Sequence, residues 1–310
     1  MARMLLVALL VLTACHRHRD PEAGPAASDA APRGYDFYVD QFAGDDTYPG
    51  TMELPFRTIT RGLKAAGAWQ KVKVQPGLYG WGEEFPIVVP ENVTLIGDEA
   101  FGAGVVTIAG AGRLPDPFYR YWAALDPRAG SAIVGFTISN ETIMLVDGLF
   151  VGVFLRAGGI VLRGNQITKH RHIGIYFGAG STDAWIQRNL VSQNGTGVIF
   201  EDPEGESAGS RLEQNEITEN SYGVRFAAPG GDLGGGPAGS LGQNVLARNT
   251  NYDLAYKLSG GVFPTTRPTI YARDNYWDHV PPSISTEDET SDIYNVHGAD
   301  FDTSGALLAE

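Results

Sequence analysis

Asn165-Gln166-Ile167 is the first of five copies of one short pattern in residues 160–277. The other copies are Asn189-Leu190-Val191, Asn215-Glu216-Ile217, Asn244-Val245-Leu246 and Asn275-Tyr276-Trp277. Successive copies begin 24, 26, 29 and 31 residues apart. This spacing is too irregular for a repeat of fixed length, but it is typical of a solenoid whose strands keep their length while its loops vary.

A second apolar segment follows each of the first four copies, and in it every other residue is apolar. The pairs are Ile175 and Phe177, Val198 and Phe200, Val224 and Phe226, and Leu254 and Tyr256. Alternation of this kind indicates a strand with alternate side chains turned inward. Such short strands bury their apolar faces only when they stack, at about 4.8 Å per rung. The pattern predicts an all-β, single-stranded right-handed parallel β-helix with the four aromatic rings in one interior file.

The repeated asparagines are predicted to form the scaffold of the turns. A second polar position follows the apolar residue of four copies, as His170, Asn194, Asn220 and Asn249. Asparagine tolerates left-handed backbone at a tight bend, and its amide can hydrogen-bond to the next coil. We therefore expect columns of asparagine, with His170 in one of their positions, and assign Asn165, Asn189, Asn194, Asn215, Asn220, Asn244 and Asn249 to structure.

Composition and missing motifs exclude several classes of function. The chain has 310 residues and a net charge of −13, so it repels phosphate backbones and nucleic acid is not an expected partner. An anionic polymer could bind only through a local basic patch or a bridging cation. There is no phosphate-binding loop, dinucleotide-binding turn, zinc motif, cysteine pair or nucleophile elbow. Two classes of function remain, a carbohydrate enzyme and a non-catalytic surface protein.

The N-terminus predicts export and lipid anchoring. Residues 1–14 combine Arg3, an apolar run and Leu12-Thr13-Ala14, and Cys15 follows as the only cysteine of the chain. This is the pattern of a bacterial lipoprotein signal peptide, after whose cleavage the cysteine is acylated. We expect residues 15–34, rich in Pro, Ala and charge, to be a tether to the lipid bilayer of the cell envelope, at the outer membrane. The oligomeric state stays open.

Residues 38–79 resemble the opening of known β-helices. Gly44-Asp45-Asp46, Pro55-Phe56-Arg57-Thr58-Ile59 and Val72-Lys73-Val74-Gln75-Pro76-Gly77 look like the start of pectate-lyase-like proteins, and they most resemble the bacterial domain of unknown function 1565 family. The resemblance implies a capping helix before the coils. Thr58 or Thr60 can cap a helix over Arg61–Ala68. Asp40, Asp45 and Asp46 suit tight turns, with a calcium loop as the alternative.

The β-helix domain is predicted over residues 35–285, and residues 286–310 are predicted to be an acidic cover followed by a fraying tail. Early coils are expected near 87–89, 93–96, 105–108, 132–138, 144–146, 151–155 and 160–162. Insertions after the aromatic file fall at one corner of successive coils, and in solenoids such a face often binds ligands.

Candidate site residues lie on the later coils. If the protein were a polysaccharide lyase, Lys169 or Arg225 would be the base, and Glu201 and Asp202 would hold calcium. His172, Tyr176 and Arg225 are candidates for substrate binding. Enzymes of the resembling fold present acidic residues on their strands, whereas the outward positions here are Tyr176, Ile199, Arg225 and Ala255. We therefore favour a non-catalytic carbohydrate-associated or structural surface module, with a calcium-dependent lyase of a uronate-containing polymer as the alternative.

Overall fold

The computed structural model describes residues 34–98, 105–115, 121–140, 147–201, 207, 209–228, 230–258 and 267–310. Its described regular structure is one short helix, α1 (Ile59–Ala65), and 28 short strands. The strands are β1 (Phe37–Val39), β2 (Lys71–Val74), β3 (Gly77–Tyr79), β4 (Ile87–Val89), β5 (Thr94–Ile96), β6 (Val106–Ala109), β7 (Gly112–Arg113), β8 (Tyr121–Pro127), β9 (Ala132–Val134), β10 (Thr137–Ser139), β11 (Leu149–Leu155), β12 (Val161–Arg163), β13 (Gln166–Thr168), β14 (Ile173–Phe177), β15 (Trp185–Gln187), β16 (Leu190–Ser192), β17 (Thr196–Phe200), β18 (Arg211–Glu213), β19 (Glu216–Thr218), β20 (Tyr222–Phe226), β21 (Val245–Ala247), β22 (Leu254–Tyr256), β23 (Thr269–Tyr271), β24 (Tyr276–Trp277), β25 (Ile284–Ser285), β26 (Ile293–Tyr294), β27 (Asp300–Asp302) and β28 (Leu307–Leu308). No helix in these ranges is long and apolar enough to span a membrane.

Three long parallel sheets run along the solenoid. The first has the order β1-β2-β5-β9-β12-β15-β18, and the second has the order β28-β24-β21-β19-β16-β13-β10-β6-β3. The third has the order β25-β26-β22-β20-β17-β14-β11-β8-β4. In the central coils each sheet takes every third strand of the chain, so one coil contributes one strand to each sheet. This arrangement confirms the predicted parallel β-helix.

The predicted aromatic file lies in the core. The register pairs Phe177 with Phe200, Phe200 with Phe226, and Phe226 with Tyr256, and all four side chains are fully buried. The ring centroids of Phe177 and Phe200 are 4.2 Å apart, and those of Phe200 and Phe226 are 4.6 Å apart. One rung of a parallel sheet therefore sets the stacking distance of the rings.

An asparagine ladder joins the first and second sheets. In each member except the last, the backbone N–H and the Nδ2 donate to Oδ1 of the asparagine in the next coil, at 2.8–3.0 Å. The members are Asn165, Asn189, Asn215, Asn244 and Asn275. Buried turn groups are satisfied in this way, as the sequence predicts.

The left-handed residue of this turn is the one before the asparagine, so the prediction that asparagine itself takes this conformation is wrong. Arg188, Gln214, Gln243 and Asp274 have φ of 54–59°. The asparagine side chain has to point inward to reach the next coil. The preceding residue therefore takes the left-handed conformation that turns the chain. The neighbours lie on the surface, where Gln214 Nε2 donates to Gln243 Oε1 at 2.9 Å.

A second ladder joins the second and third sheets, and His170 occupies its first position. The His170 backbone N–H donates to Asn194 Oδ1 at 3.0 Å, and Asn194 and Asn220 continue the ladder to Asn249. The imidazole is 1% exposed, and its Nε2 lies 3.1 Å from the carbonyl oxygen of Ile138, which makes Nε2 the donor. His170 Nδ1 is buried and has no hydrogen-bond partner among the described residues. Burial lowers the pKa of His170 to about 4.

Acid is therefore expected to destabilise the protein through His170. The unfolded chain takes up a proton near pH 6.5 whereas the folded chain does so only near pH 4, so the contribution of His170 to stability is complete above this window and falls as the pH drops through it. The expected slope is about 1.4 kcal/mol per pH unit. His170→Asn, whose amide can donate to Ile138 as Asn194 donates to Ile167, should lose that slope. Urea unfolding between pH 4 and pH 7 measures it, and equal slopes in the variant and the wild type would contradict the assignment.

Helix α1 caps the N-terminal end of the coils. Thr58 is its N-cap, since its Oγ accepts from Arg61 N, and the helix begins two residues before the predicted segment. The Glu83 carboxylate accepts from Ile59 N and Thr60 N at 2.7 and 2.8 Å, and burial raises its pKa. Gly62 permits close contact with the first sheet, because a Cβ there would lie 2.7 Å from Val39 Cγ2.

The aspartates of the N-terminal loop stabilise turns by accepting hydrogen bonds. Asp40 Oδ1 accepts from Phe42 N and Ala43 N, and Asp45 Oδ1 accepts from Thr47. Asp46 accepts from the backbone at Arg57 and from both the backbone and hydroxyl of Thr58. These contacts fit the turn interpretation of the sequence.

The early coils form near their predicted positions, except that residues 144–146 lie outside the described residues. The end of the chain differs from the prediction, because residues 286–310 add strands β26, β27 and β28 to the solenoid. They pair with β22, β23 and β24. Leu307 N and Ala309 N donate to the preceding coil, and Arg248 Nη1 donates to the Glu310 backbone oxygen at 2.9 Å. This segment completes a coil where the sequence predicts a fraying tail.

Candidate functional site

The outer face of the third sheet carries most of the predicted site residues. One file of outward positions runs along this sheet over six coils. Its members are Phe154, Tyr176, Ile199, Arg225, Ala255 and Tyr294. The predicted alternation of Tyr176, Ile199 and Arg225 is therefore present, and Tyr176 lies two rungs from Arg225.

Tyr176 is buried although it points away from the main core. Its side chain is 6% exposed and belongs to a second apolar cluster on the outer face, which also contains Phe154 and Ile199. The Tyr176 ring stacks on Phe154 at 4.7 Å, and its hydroxyl accepts from Tyr121 Oη at 3.1 Å. Burial, followed by the hydrogen bond with Tyr121 and the charge of Glu201, raises the pKa of Tyr176. The central part of this face is thus a packed aromatic layer.

The predicted calcium pair is only half described. Asp202 lies outside the described residues. Glu201 follows β17 and hydrogen-bonds with the hydroxyl of Tyr176. A calcium ion prefers carboxylate oxygens that are free to coordinate it. In the structure the carboxylate of Glu201 serves as a partner for the buried phenol.

Arg225 lies among tyrosines at the C-terminal end of this face. Its Nε donates to the Lys257 carbonyl oxygen at 3.2 Å. Burial raises the pKa of Tyr252, whereas the positive charge of Arg225 opposes that shift. The Tyr252 ring is tilted against the Tyr222 ring, with centroids 4.9 Å apart, and it stacks with the Tyr294 ring at 6.0 Å. The result is an aromatic cluster with the charged Arg225 near the buried Tyr252.

A polar fringe borders these rings. The Lys257 ammonium lies 5.4 Å from the centroid of the Tyr294 ring and forms an ion pair with Glu289 at 2.8 Å. Tyr222 and Tyr294 are half-buried, so both present part of a ring at the surface. The surface formed by Tyr222, Arg225, Lys257, Glu289 and Tyr294 is called the Arg225 surface below.

Lys169 and His172 lie at the corner between the second and third sheets, away from the Arg225 surface. Lys169 has a φ of 60° and lines an open depression of about 510 Å³ that crosses four coils and includes Arg171, Gln193, Glu219 and Thr250. His172 stacks on Phe150, and its Nδ1 accepts from Phe150 N at 3.0 Å. Burial and the charge of Arg171 lower the pKa of His172. The two candidate bases, Lys169 and Arg225, therefore belong to different surfaces.

An acidic cluster that no sequence motif indicates ends the second ladder. Carboxylate oxygens of Asp253, Asp278 and Asp292 lie within 4.8 Å of one another, the one such grouping of potential metal ligands in the described part of the chain. Asp253 and Asp292 are buried, and Asp278 is exposed. The three residues are too far apart in sequence for a motif to reveal them.

A proton or a cation could relieve the repulsion in this cluster. Carboxylate oxygens are suitable ligands for calcium. However, these carboxylates already accept hydrogen bonds from protein groups, such as Asn249 Nδ2 to Asp253, Arg248 N to Asp278 and Ser283 N to Asp292. Burial, together with the charges of Asp278 and Asp292, raises the pKa of Asp253 to about 8. Burial and the neighbouring charges therefore favour a protonated Asp253 at neutral pH, although the hydrogen bonds from Asn249 lower its pKa.

Several solved structures are similar to the chain at low sequence identity and with TM-scores below 0.5. A pectate lyase, Pel9A, is 12% identical with a TM-score of 0.48 over 88% of this chain and 78% of its own. XylC in complex with xylose is 10% identical with a TM-score of 0.47 over 78% of this chain, which spans 63% of XylC. The A-module of a mannuronan C-5 epimerase from Azotobacter vinelandii is 16% identical with a TM-score of 0.35, over 80% of this chain and 92% of the module.

No curated protein sequence matches the chain significantly. The family model of the protein of unknown function DUF1565 matches residues 42–284, which include the capping helix and most of the coils. The match extends the resemblance of residues 38–79 to most of the solenoid. The chain therefore belongs to the DUF1565 family.

Proposed function

We propose that the protein is a non-catalytic module that binds a polysaccharide along the outer face of the third sheet. The observation that carries this proposal is the Arg225 surface, in which half-buried tyrosines lie beside a guanidinium and a Lys257–Glu289 ion pair. Tyrosine combines an apolar ring with a polar tip, so it can contact the apolar face of a sugar while its hydroxyl stays hydrated. The flanking charged groups can hydrogen-bond with sugar hydroxyls.

The arrangement of the outer file supports binding without turnover. Of the six positions from Phe154 to Tyr294, Arg225 is the one with a permanent charge, and the central rings are packed against one another. A lyase needs a base close to the proton that it abstracts and a cation at the neighbouring carboxylate. Lys169 lies at the corner between the second and third sheets, away from Arg225 on the outer face, and the carboxylate of Glu201 hydrogen-bonds with the hydroxyl of Tyr176.

A paired assay of binding and turnover tests this proposal. The protein is applied to a glycan array and is also incubated with pectate, alginate and glycosaminoglycans plus calcium, while the ultraviolet absorbance of unsaturated products is followed. We expect binding without product. Product formation would instead establish the calcium-dependent lyase, and Lys169→Ala and Arg225→Ala would then show whether either residue is its base.

A matched pair of variants tests whether the Arg225 surface binds the glycan. Tyr294→Ala removes a half-buried ring of this surface, whereas Tyr48→Ala removes a tyrosine that is 37% exposed in the N-terminal loop. We expect only Tyr294→Ala to weaken glycan binding. Equal affinities of both variants and the wild type would rule out the Arg225 surface as the binding site.

We also propose that the mature protein is anchored to the envelope through an acylated Cys15, at the outer membrane. This proposal is supported by the sequence Leu12-Thr13-Ala14-Cys15, and these residues lie outside the described part of the structure. Mass spectrometry of the mature N-terminus should find a lipid-modified cysteine, and Cys15→Ser should release the protein from the membrane fraction. An unmodified N-terminus, or one at another residue, would refute the anchor.

A further inference from the structure

Two arginines share one buried carboxylate at the N-terminal end of the same outer face. Asp126 lies in β8, where it pairs with the outward-facing Val88, and its side chain is 1% exposed. Arg156 Nε and Nη2 donate to the two carboxylate oxygens at 3.0 and 2.7 Å. Arg128 Nη2 lies 3.1 Å from Asp126 Oδ2, the oxygen that Arg156 Nη2 also contacts.

The arrangement leaves a positive charge and unused donors at the surface. Two guanidinium groups carry two positive charges against the single negative charge of Asp126. The side chains of Arg128 and Arg156 are 38% and 26% exposed. Among the described residues, Nη1 of Arg156 and both Nε and Nη1 of Arg128 donate to no protein atom. A local excess of positive charge is unusual in a chain of net charge −13.

The geometry suits a carboxylate. Because both short contacts end on Asp126 Oδ2, the two Nη2 atoms lie within about 6 Å of each other. A second carboxylate can accept from both guanidinium groups across such a gap, and charge-assisted bonds of this kind are the stronger ones. The buried Asp126 holds the two like charges together and orients Arg156 through two parallel hydrogen bonds.

We propose that Arg128 and Arg156 form a subsite for the carboxylate of an acidic glycan, so that the bound polymer contains uronate residues. The inference rests on the proposed function, because it places this subsite on the outer face that binds the polymer. Phe154 and Tyr176 lie beside it along the file, and the Arg225 surface follows further along. A linear chain along the solenoid axis could contact both.

The test compares one polymer with and without its charge. Oligogalacturonate and its fully methyl-esterified form are titrated by calorimetry in EDTA, at low and high salt, with the full chain and three variants. Arg128→Gln keeps a donor near Asp126 but removes one charge. Arg156→Lys keeps a charge beside Asp126 but loses the two parallel bonds. Arg188→Gln is the control, since it removes one exposed arginine from a column that already contains Gln214 and Gln243 at the same left-handed conformation.

We expect Arg128→Gln and Arg156→Lys to bind oligogalacturonate about tenfold more weakly and with a shallower dependence on salt, while Arg188→Gln stays within about twofold of the wild type. Binding of the ester should be weak and unaffected by any variant. If both forms bind equally, or if Arg128→Gln and Arg188→Gln behave alike, the carboxylate subsite is refuted while the polysaccharide proposal stands. If neither form binds and the glycan array is also negative, both proposals fail.

Discussion

Replacement of Phe200 by alanine is expected to lower the free energy of unfolding by about 3 to 5 kcal/mol. Phe200 is fully buried between Phe177 and Phe226, with ring centroids at 4.2 and 4.6 Å. Gly231 packs against the same ring, because a Cβ there would lie 2.5 Å from Phe200 Cε1. Backbone hydrogen bonds fix the rung spacing, so neighbouring coils cannot close the cavity by moving together.

Urea unfolding followed by circular dichroism measures this effect. Phe42→Ala is the matched control, because Phe42 is 79% exposed and its loss should change stability by less than about 0.5 kcal/mol. A loss below about 1 kcal/mol for Phe200→Ala would contradict the packing of the aromatic file. A change in the slope of the unfolding curve would indicate that the coils unfold separately.

Much of the fold could be predicted because each coil has two structural requirements, and each of them leaves a recognisable residue in the repeat. The interior accepts an aromatic ring at one place per coil, and the turn needs an amide that reaches the next coil. The left-handed residue of each turn escaped prediction because its side chain is at the surface, where Arg188, Gln214 and Asp274 are all tolerated. Strand β8 escaped as well, because none of the early coils predicted from the sequence covers it, although Tyr121 and Trp122 begin the strand.

The candidate site could be predicted only in part. Alternation within β20 was sufficient to place Arg225 on the outer face. Burial of Tyr176 could not be inferred, since it depends on Tyr121 and Leu114, which approach from distant positions in the chain. The pairing of Asp126 with Arg156 and the cluster around Asp253 likewise join residues that are separate in sequence. Such contacts arise from the register of the coils, which a short motif does not encode.

Asp253 ends the second ladder in place of another asparagine. Its Oδ1 accepts from Asn249 Nδ2 at 2.7 Å, as the Oδ1 of Asn249 accepts from Asn220. In the coil before, Gly223 stands at the equivalent position, and a Cβ there would lie 2.9 Å from Asn249 Nδ2. Because Gly223 has no side chain, the Asn249 amide fits beside it. In the last coil the Asp253 side chain occupies the equivalent space and accepts the hydrogen bond from Asn249.

The expected consequence is that the contribution of Asp253 to stability decreases as the pH rises, which is opposite in sign to the contribution of His170. Burial and the nearby Asp278 and Asp292 raise the pKa of Asp253 from 3.8 to about 8. Between these values the folded protein keeps a proton that the unfolded chain releases, so the stabilising contribution is complete at low pH and is lost as the pH rises through about 8. His279, which contacts Asp292, has a raised pKa and shifts stability in the same direction.

Asp253→Asn should remove most of this dependence and stabilise the protein at pH 7 by on the order of 3 kcal/mol. The amide oxygen can still accept from Asn249, and the amide nitrogen becomes a donor to the remaining carboxylates. Unfolding in urea and EDTA from pH 5 to pH 9 measures the slope, and EDTA prevents cations from neutralising the cluster. Glu91→Gln, which removes an exposed carboxylate, should keep the wild-type slope. If Asp253→Asn instead loses stability at pH 7 as well as at pH 5, Asp253 is ionised in the folded protein, and its charge is needed to end the ladder.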